Sequence, residues 1–404
     1  MYFAVDWTDK RVDFKALREG RLKRLRESMK KHGLDALLTF RAENIRYMTG
    51  LRPLWWPITF ITRNASILTQ KGDPILYVTS GDMERCRATM GWLPPENIRP
   101  CASMEDPGVT DSMMKEFAKT LSDLGVANGR IGVDAVTIDM LYALKRHLPN
   151  AEIVDGDECV KEAKAIKTPE EIELLRISSK CAQIGMATAI NSLRPGIREC
   201  EVLGEVMKVF YSLGMEVPQC NLIVTSGAQT APLHRFASDK PIMPGELVFM
   251  DLGGCFNGYF SDFTRTIIFC GKPNDMQKRI YNAVYEEMMV VHELLKPGHT
   301  NEELSKAARN VIKKHGFEEY GFLGILGHGI GISGFEAPLI GELAATGEKV
   351  YEFQPGMVFS CEPAILVPNV PGGGGVRLED TILVTETGNE ILTPFPYDEN
   401  LLGR

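Results

Sequence analysis

In the stretch 21–31 the apolar residues Leu22, Leu25 and Met29 recur at helical spacing among Arg and Lys, which predicts an amphipathic helix with a solvated basic face. Gly33-Leu34-Asp35 then turns into the apolar run Ala36-Leu37-Leu38-Thr39-Phe40, the pattern of a buried strand. Short strands are expected at 59–62, 65–68, 74–78 and 131–133, and helices at 111–124 and 138–147. Strand and helix signals mixed in this way predict a small N-terminal α/β domain.

A second kind of pattern begins at Thr168-Pro169-Glu170-Glu171: a hydroxyl for the N-cap, Pro at the first helical position, and Glu three residues after the cap. Ile172, Leu175, Ile177, Ala182, Ile184 and Ala187 give the following helix a broad apolar face. Beyond it come a helix at 199–213, a strand at 221–225, a hairpin of 246–252 with 258–270, helices at 276–295 and 301–315, and several strands to the end. Helices segregate from strands here, so this half reads as α+β with a curved antiparallel sheet and covering helices. The expected domains are 1–163 and 164–404.

Composition narrows the functional classes. The formal net charge of −8 supplies no basic field for a phosphate backbone, so no nucleic-acid partner is expected. Nine cysteines, an odd number scattered singly without C-x-x-C, argue against a disulfide framework or a structural zinc site. The first residues, MYFAVDWTDKRVDF, carry charge where a signal peptide needs an apolar run. No apolar run approaches the ~18–20 residues of a membrane span. A cytoplasmic enzyme away from the membrane is the expectation.

Four segments carry candidate chemistry. Leu247–Thr266 holds two apolar strands around Asn257-Gly258, a strong hairpin signal, with Asp251 and Asp262 on opposing strands about equally far from the turn. Two aspartates capping loops would explain that pair equally well. Leu326-Gly327-His328-Gly329-Ile330-Gly331-Ile332 flanks a histidine with glycines that let backbone pass close to a site, although a lone His in an apolar run is more often a core residue. The G-x-G-x-x-G formed by Gly329, Gly331 and Gly334 is not followed by a helix, so a dinucleotide fingerprint is rejected. Glu362 in Val358–Pro363 and Glu379 in Val376–Val384 interrupt strands of apolar and β-branched residues. Buried carboxylates are rare unless paired or metal-bound. One centre of Asp251, Asp262, His328, Glu362 and Glu379 explains all of them together, and its donors suit divalent Mn, Co, Fe or Zn.

With these pieces assembled, the chain resembles the pita-bread metallohydrolases, the family of Xaa-Pro dipeptidase (prolidase), aminopeptidase P and creatinase. The carrying residues are Asp251-x-Gly253, Gly258-Tyr259-x-Ser261-Asp262-x-Thr264-Arg265-Thr266, Gly327-His328-Gly329-Ile330-Gly331, Glu362-Pro363 and Arg377-x-Glu379-Asp380. More loosely, Asn44-Ile45-Arg46-Tyr47-Met48-Thr49-Gly50 matches the N-terminal half. The resemblance implies a pita-bread catalytic domain, two divalent ions with manganese foremost, and a homodimer. It implies that Asp251 binds one ion, that Asp262 and Glu379 bridge both, and that His328 and Glu362 complete the ligands of the other ion. His234, in Ser226-Gly227…His234, would face the substrate, or else be a surface histidine of a loop; Glu362 would take a proton as well as bind metal; Arg377 would support the metal ligands from behind or orient the substrate. The implied reaction is hydrolysis of an Xaa-Pro dipeptide by a hydroxide held between the ions.

Two positions depart from the peptidase pattern. Phe335 stands where peptidases carry a second histidine, and Leu366 where they carry an aromatic hydroxyl. The end of the chain is more similar to creatinase, and the dimethylsulfoniopropionate lyases of this fold also lack that histidine. The alternative expectation is therefore a creatinase-like C–N hydrolase or a metal-dependent lyase acting on a small, cationic substrate. Trp55 and Trp56, on a loop that in this family reaches the partner's site, would suit such a cation, or else pack at a domain or dimer contact. A metal-free binding module is the third reading, and the intact ligand set opposes it.

Overall fold

The computed structural model describes residues 11–53, 61–218, 222–232, 235–321 and 324–404. The chain divides into two units between Lys164 and Ala165.

The N-terminal unit runs α1 (Phe14–Lys31), β1 (Ala36–Thr39), α2 (Ala42–Thr49), β2 (Ala65–Thr69), β3 (Ile75–Thr79), α3 (Ser80–Thr89), β4 (Ile98–Cys101), α4 (Pro107–Asp123), β5 (Arg130–Val133), α5 (Ile138–His147) and β6 (Glu152–Asp155), and ends in α6 (Asp157–Ala165). One mixed sheet takes the order β4-β3-β2-β1-β5-β6. Alternate residues of β3 feed two cores: Ile75 and Tyr77 pack with Phe117, while Leu76 and Val78 pack with Ile45, Cys86 and Met90. A strand buried on both faces reads as continuous apolar sequence. α1 starts earlier than its apolar pattern, because Asp13 accepts from Lys15 N and Ala16 N at 2.9 and 3.0 Å and caps the helix there. Of the strand expected at 59–62, Thr59 and Phe60 lie outside the described residues, and Ile61 and Thr62 form a turn.

The second unit contains α7 (Pro169–Ser192), α8 (Glu199–Ser212), β7 (Ile223–Ser226), β8 (Leu247–Phe256), β9 (Tyr259–Ile268), α9 (Asp275–Leu294), α10 (Asn301–His315), β10 (Ile325–Gly329), β11 (Glu336–Gly341), α11 (Leu343–Thr346), β12 (Val358–Cys361), β13 (Ala364–Leu366), β14 (Gly375–Arg377), β15 (Asp380–Val384), β16 (Asn389–Ile391) and α12 (Glu399–Leu402). α7 opens with the expected capping box: Glu171 N reaches Thr168 Oγ1 at 3.3 Å, and Thr168 N reaches Glu171 Oε2 at 2.8 Å. Strands pair antiparallel as β11-β10-β12-β15-β16, β7-β8-β9 and β13-β14. Val284, Met288 and Val291 of α9 and Leu304, Ala308 and Ile312 of α10 share a core with Phe353, Phe359 and Ile382. This is the α+β architecture that the segregated helices and strands imply.

The β8–β9 hairpin turns at Asn257 and Gly258, both at positive φ (47° and 91°), as a tight two-residue turn requires. Its register pairs Asp251 with Thr264 and Gly253 with Asp262. The two aspartates are therefore diagonal rather than equally far from the turn, yet on one face, since facing residues and their i+2 neighbours share a side. Gly253 is required there: a Cβ would stand 2.0 Å from the Ser261 carbonyl oxygen.

Side-chain bonds join this hairpin to the larger sheet. Ser360 Oγ and Thr381 Oγ1 donate to the Asp262 carbonyl at 3.3 and 2.7 Å. Glu379 N donates to the Thr264 carbonyl at 3.1 Å, and Arg265 Nη1 to the Glu379 carbonyl at 2.8 Å. The backbone at two of the carboxylates, Asp262 and Glu379, is thus set by Ser360, Thr381, Thr264 and Arg265.

Candidate metal centre

Asp251 sits on β8, Asp262 on β9, His328 on β10, Glu362 just after β12, and Glu379 between β14 and β15. All but Glu362 are buried, and the Glu362 side chain is 15% exposed. Asp262, His328 and Glu379 each offer a ligand atom within 4.8 Å of the others. His328 Nε2 stands 3.8 Å from both Asp262 Oδ2 and Glu362 Oε1. Arg377 bonds Glu362 Oε2 at 2.9 Å through Nη1 and reaches Asp251 Oδ2 through Nη2. The structure therefore draws the five predicted residues and Arg377 into one cluster.

Burial drives the Asp262 and Glu379 carboxyls well above the usual carboxylate range, and the neighbouring acids push the same way. Burial also opposes the Arg377 charge, but Asp251, Glu362, Glu379 and Asp262 outweigh it and raise its pKa further. So dense a group of carboxylates is costly unless cations share it. The donor geometry fits a cation: His328 Nδ1 contacts the Gly329 carbonyl at 3.0 Å, and donation there leaves the Nε2 lone pair facing the acids. Two donors each ~2.1 Å from one ion and spread over its coordination sphere stand roughly 3.4–3.8 Å apart, longer than a hydrogen bond and close to the separations found.

The sequence reading assigned no role to Thr264, Arg265 or Asp380, although all three lie inside its motifs. Thr264 Oγ1 donates to Glu379 Oε2 at 2.7 Å and accepts from Arg377 Nε at 3.1 Å. Arg265 Nη2 bonds Asp380 Oδ1 at 2.7 Å, and burial notwithstanding, Arg265 and His292 hold Asp380 below the usual range. A Thr or Arg at a strand position gives no sign of its function until the register is known.

Phe335 is 53% exposed, and its ring stacks on His328 with centroids 4.5 Å apart. Buried Lys167 and Glu336 pair at 3.2 Å beneath this turn, and Ser333 N bonds Glu336 at 3.0 Å. Leu366 faces Gly375 where Ala364 faces Arg377, so Leu366 lies on the Arg377 side of the β13–β14 pair. His234, Trp55 and Trp56 lie outside the described residues.

A model of metallopeptidase family M24 matches residues 173–386, more than half of the chain. The chain belongs to this family. Residues 21–166 match the creatinase/prolidase N-terminal domain. A Xaa-Pro dipeptidase of Pyrococcus horikoshii is 32% identical over 374 residues, covering 92% of this chain and 96% of the relative. The crystal structure of the prolidase from Pyrococcus horikoshii OT3 superposes with a TM-score of 0.78 at 30% identity, over 93% of this chain and 99% of that one. A Xaa-Pro dipeptidase from Bacillus anthracis gives 0.79 at 29% identity, over 94% and 99%. As an M24 protein of the pita-bread fold the chain is a metal-dependent hydrolase of the peptidase class, and the family implies divalent metal ions. Among the described residues, no helix of this M24 chain is long and apolar enough to cross a membrane.

Proposed function

We propose that the protein is a two-metal Xaa-Pro dipeptidase whose ions, manganese by preference, are held by Asp251, Asp262, His328, Glu362 and Glu379. The observation that carries this reading is the convergence of three carboxylates, Asp262, Glu362 and Glu379, on a histidine whose Nδ1 already faces a carbonyl, with Asp251 joined to Glu362 through Arg377. The substrate class follows the names of the similar proteins. When bound, such ions supply Lewis-acid polarisation of the scissile carbonyl and a water acidic enough to attack near neutral pH.

The chain's own groups do the rest. Glu362, the most open of the acids, takes the proton of the attacking water and returns it to the leaving nitrogen. Arg377 holds the Glu362 and Asp251 carboxylates apart and oriented. Thr264 fixes Glu379 through a 2.7 Å bond, so the acid does not have to reorganise during reaction. His234 is assigned the substrate-side donor role on its motif alone. The same reading takes the enzyme as a cytoplasmic homodimer.

Phe335 supports a second reading. Its apolar ring occupies the place of a proton-handling histidine and walls His328, which suits a small cation processed by C–N hydrolysis or β-elimination. One assay separates the two: Mn²⁺-loaded protein with Gly-Pro, Ala-Pro, creatine and dimethylsulfoniopropionate, following amine, urea and dimethyl sulfide. Hydrolysis of the dipeptides is expected. Failure on every Xaa-Pro substrate at confirmed metal occupancy refutes the first reading.

A further inference from the structure

On the buried side of α9, Glu287 stands among Val284, Met288 and Val291 and is only 1% exposed. Its Oε2 finds no hydrogen-bond partner among the described residues. Burial alone pushes this carboxyl well above the usual carboxylate range. Glu286, one residue back, turns instead to Lys314 and His315 of α10 at 2.6 and 2.7 Å. A buried acid without a partner is costly whether charged or neutral, and such a group calls for a guest beside it.

Glu287 opens into a cavity of about 20 Å³ between α9, α10 and the β10–β11 pair, room for a guest the size of one water. The other polar groups on its wall are Ser305, the Gly341 backbone and the ion pair of Arg309 with Glu342, whose side chains are partly exposed. Ser305 Oγ lies 2.8 Å from both the Asn301 and the Gly341 carbonyl oxygens, so its one hydrogen goes to backbone and its lone pairs remain. Arg309 directs its guanidinium to Glu342. The hollow therefore presents oxygens rather than donors. With Glu287 ionised, its lining holds two carboxylates against one guanidinium, one negative charge in excess, and the rest of the wall is apolar.

Oxygen ligands, a single negative charge in excess and room for one small guest together suit a monovalent cation. We infer that this cavity binds a potassium or ammonium ion, with Glu287 as its charged ligand and Ser305 as a neutral one. As the ion enters, the Glu287 carboxyl releases its proton to solvent and the cation takes that place beside the carboxylate, so the charge in the cavity is unchanged. Binding therefore strengthens as pH rises. Leu326 of β10 also lines the cavity, and its carbonyl accepts from Glu362 N at 2.8 Å. An occupied cavity braces from behind the strand that carries His328. The site does not depend on which substrate the enzyme cleaves.

Crystals of the unaltered Mn²⁺-loaded enzyme soaked in rubidium chloride, an anomalous scatterer in place of potassium, are expected to show anomalous density beside Glu287. In solution, thermal unfolding is followed in potassium, ammonium and choline chlorides at equal ionic strength. Potassium and ammonium are expected to raise Tm by about 2–4 °C over choline, which is too large for the cavity. Glu287→Gln keeps the side-chain shape but cannot ionise, and is expected to lose that difference; Ser305→Ala is expected to shrink it. Calorimetry of potassium binding to the unaltered protein, in two buffers of different ionisation enthalpy at neutral pH, is expected to show about one proton released per ion. No density beside Glu287, equal Tm in potassium and choline, or a potassium effect that Glu287→Gln retains overturns the proposal and leaves a buried water as the guest. If Glu287→Gln fails to fold, the soak and the two-buffer calorimetry on the unaltered protein decide.

Discussion

Thr264→Val removes one hydroxyl from a fully buried position and leaves the side-chain volume nearly unchanged. That hydroxyl donates to Glu379 Oε2 at 2.7 Å and accepts from Arg377 Nε at 3.1 Å. A hydrogen bond to a charged group contributes about 1.5–3 kcal/mol, and an Nε left facing a methyl adds a desolvation cost of about 1–3 kcal/mol. Part of this falls equally on metal-free and metal-loaded protein and cancels in a binding constant. What remains is the orientation of Glu379, and loss of a partner one bond behind a ligand weakens metal binding about 10–100-fold. That range corresponds to roughly 1.4–2.8 kcal/mol, close to a single charge-assisted bond. The assay is Mn²⁺ titration against a fluorescent chelator at fixed pH, with Thr264→Ser as the control that retains the hydroxyl. Thr264→Val is expected to bind about 10–100-fold more weakly at unchanged saturating stoichiometry, and Thr264→Ser to bind nearly as the unaltered protein does. Affinity of Thr264→Val within twofold of the original, or equal losses in both variants, refutes the reasoning.

Other outcomes follow from neighbouring geometry. Asp262→Asn should lower metal content measured by atomic absorption; unchanged stoichiometry would mean that Asp262 bridges nothing. Gly253→Ala places a Cβ 2.0 Å from the Ser261 carbonyl, so the hairpin must shift. It should cost about 1–3 kcal/mol in a urea titration and lower metal affinity as well, while an unmoved midpoint contradicts the close approach. Asp134 accepts from Phe40 N, Arg41 N and Asn44 Nδ2 at 2.8, 3.1 and 2.9 Å, and burial nonetheless pushes it up to about 6. Because the folded form holds this proton more tightly than the unfolded chain, its contribution is fully present below about pH 4 and is lost as pH rises through 6. The stability advantage over Asp134→Asn should therefore shrink by up to about 3 kcal/mol between pH 4 and pH 7. An advantage that grows with pH would show that the three donors outweigh burial.

Much of this fold was legible because its signals are local. Thr168-Pro169-Glu170-Glu171 names its helix start through bonds between residues three apart, and Asn257-Gly258 names its turn through φ. Both depend on chemistry within a few positions. The start of α1 at Phe14 escaped because its cap, Asp13, precedes a stretch with little apolar pattern. The four acids and the histidine were singled out by a different route, since a carboxylate in an apolar strand is conspicuous wherever it lies. Thr264 and Glu287 were not conspicuous. A Thr suits any strand, and a Glu suits any helix. Their places appear only when the register pairs Thr264 with Asp251 and when α9 turns Glu287 into the cavity beside α10 and β10.

Phe335 couples those two levels. From sequence it is a missing histidine; in three dimensions it is a ring stacked on His328, a proposed metal ligand. Its exposure of 53% means that a polar replacement has no core to disturb, and the buried Lys167–Glu336 pair below it holds the turn in place. Phe335→His therefore restores an imidazole beside the reacting atoms at small cost in stability. A positioned acid–base group contributes roughly 10²–10⁴-fold to a rate. If peptide hydrolysis is the native reaction and Phe335 only limits it, kcat on Ala-Pro should rise about tenfold or more, conservatively within that range, and acquire a new ionisation in its pH profile. If the ring instead serves a substrate that needs no second imidazole, dipeptide turnover will stay low, and activity on the true substrate will fall as the apolar wall is lost. The direction of change on the two substrate classes then reports which chemistry this centre performs.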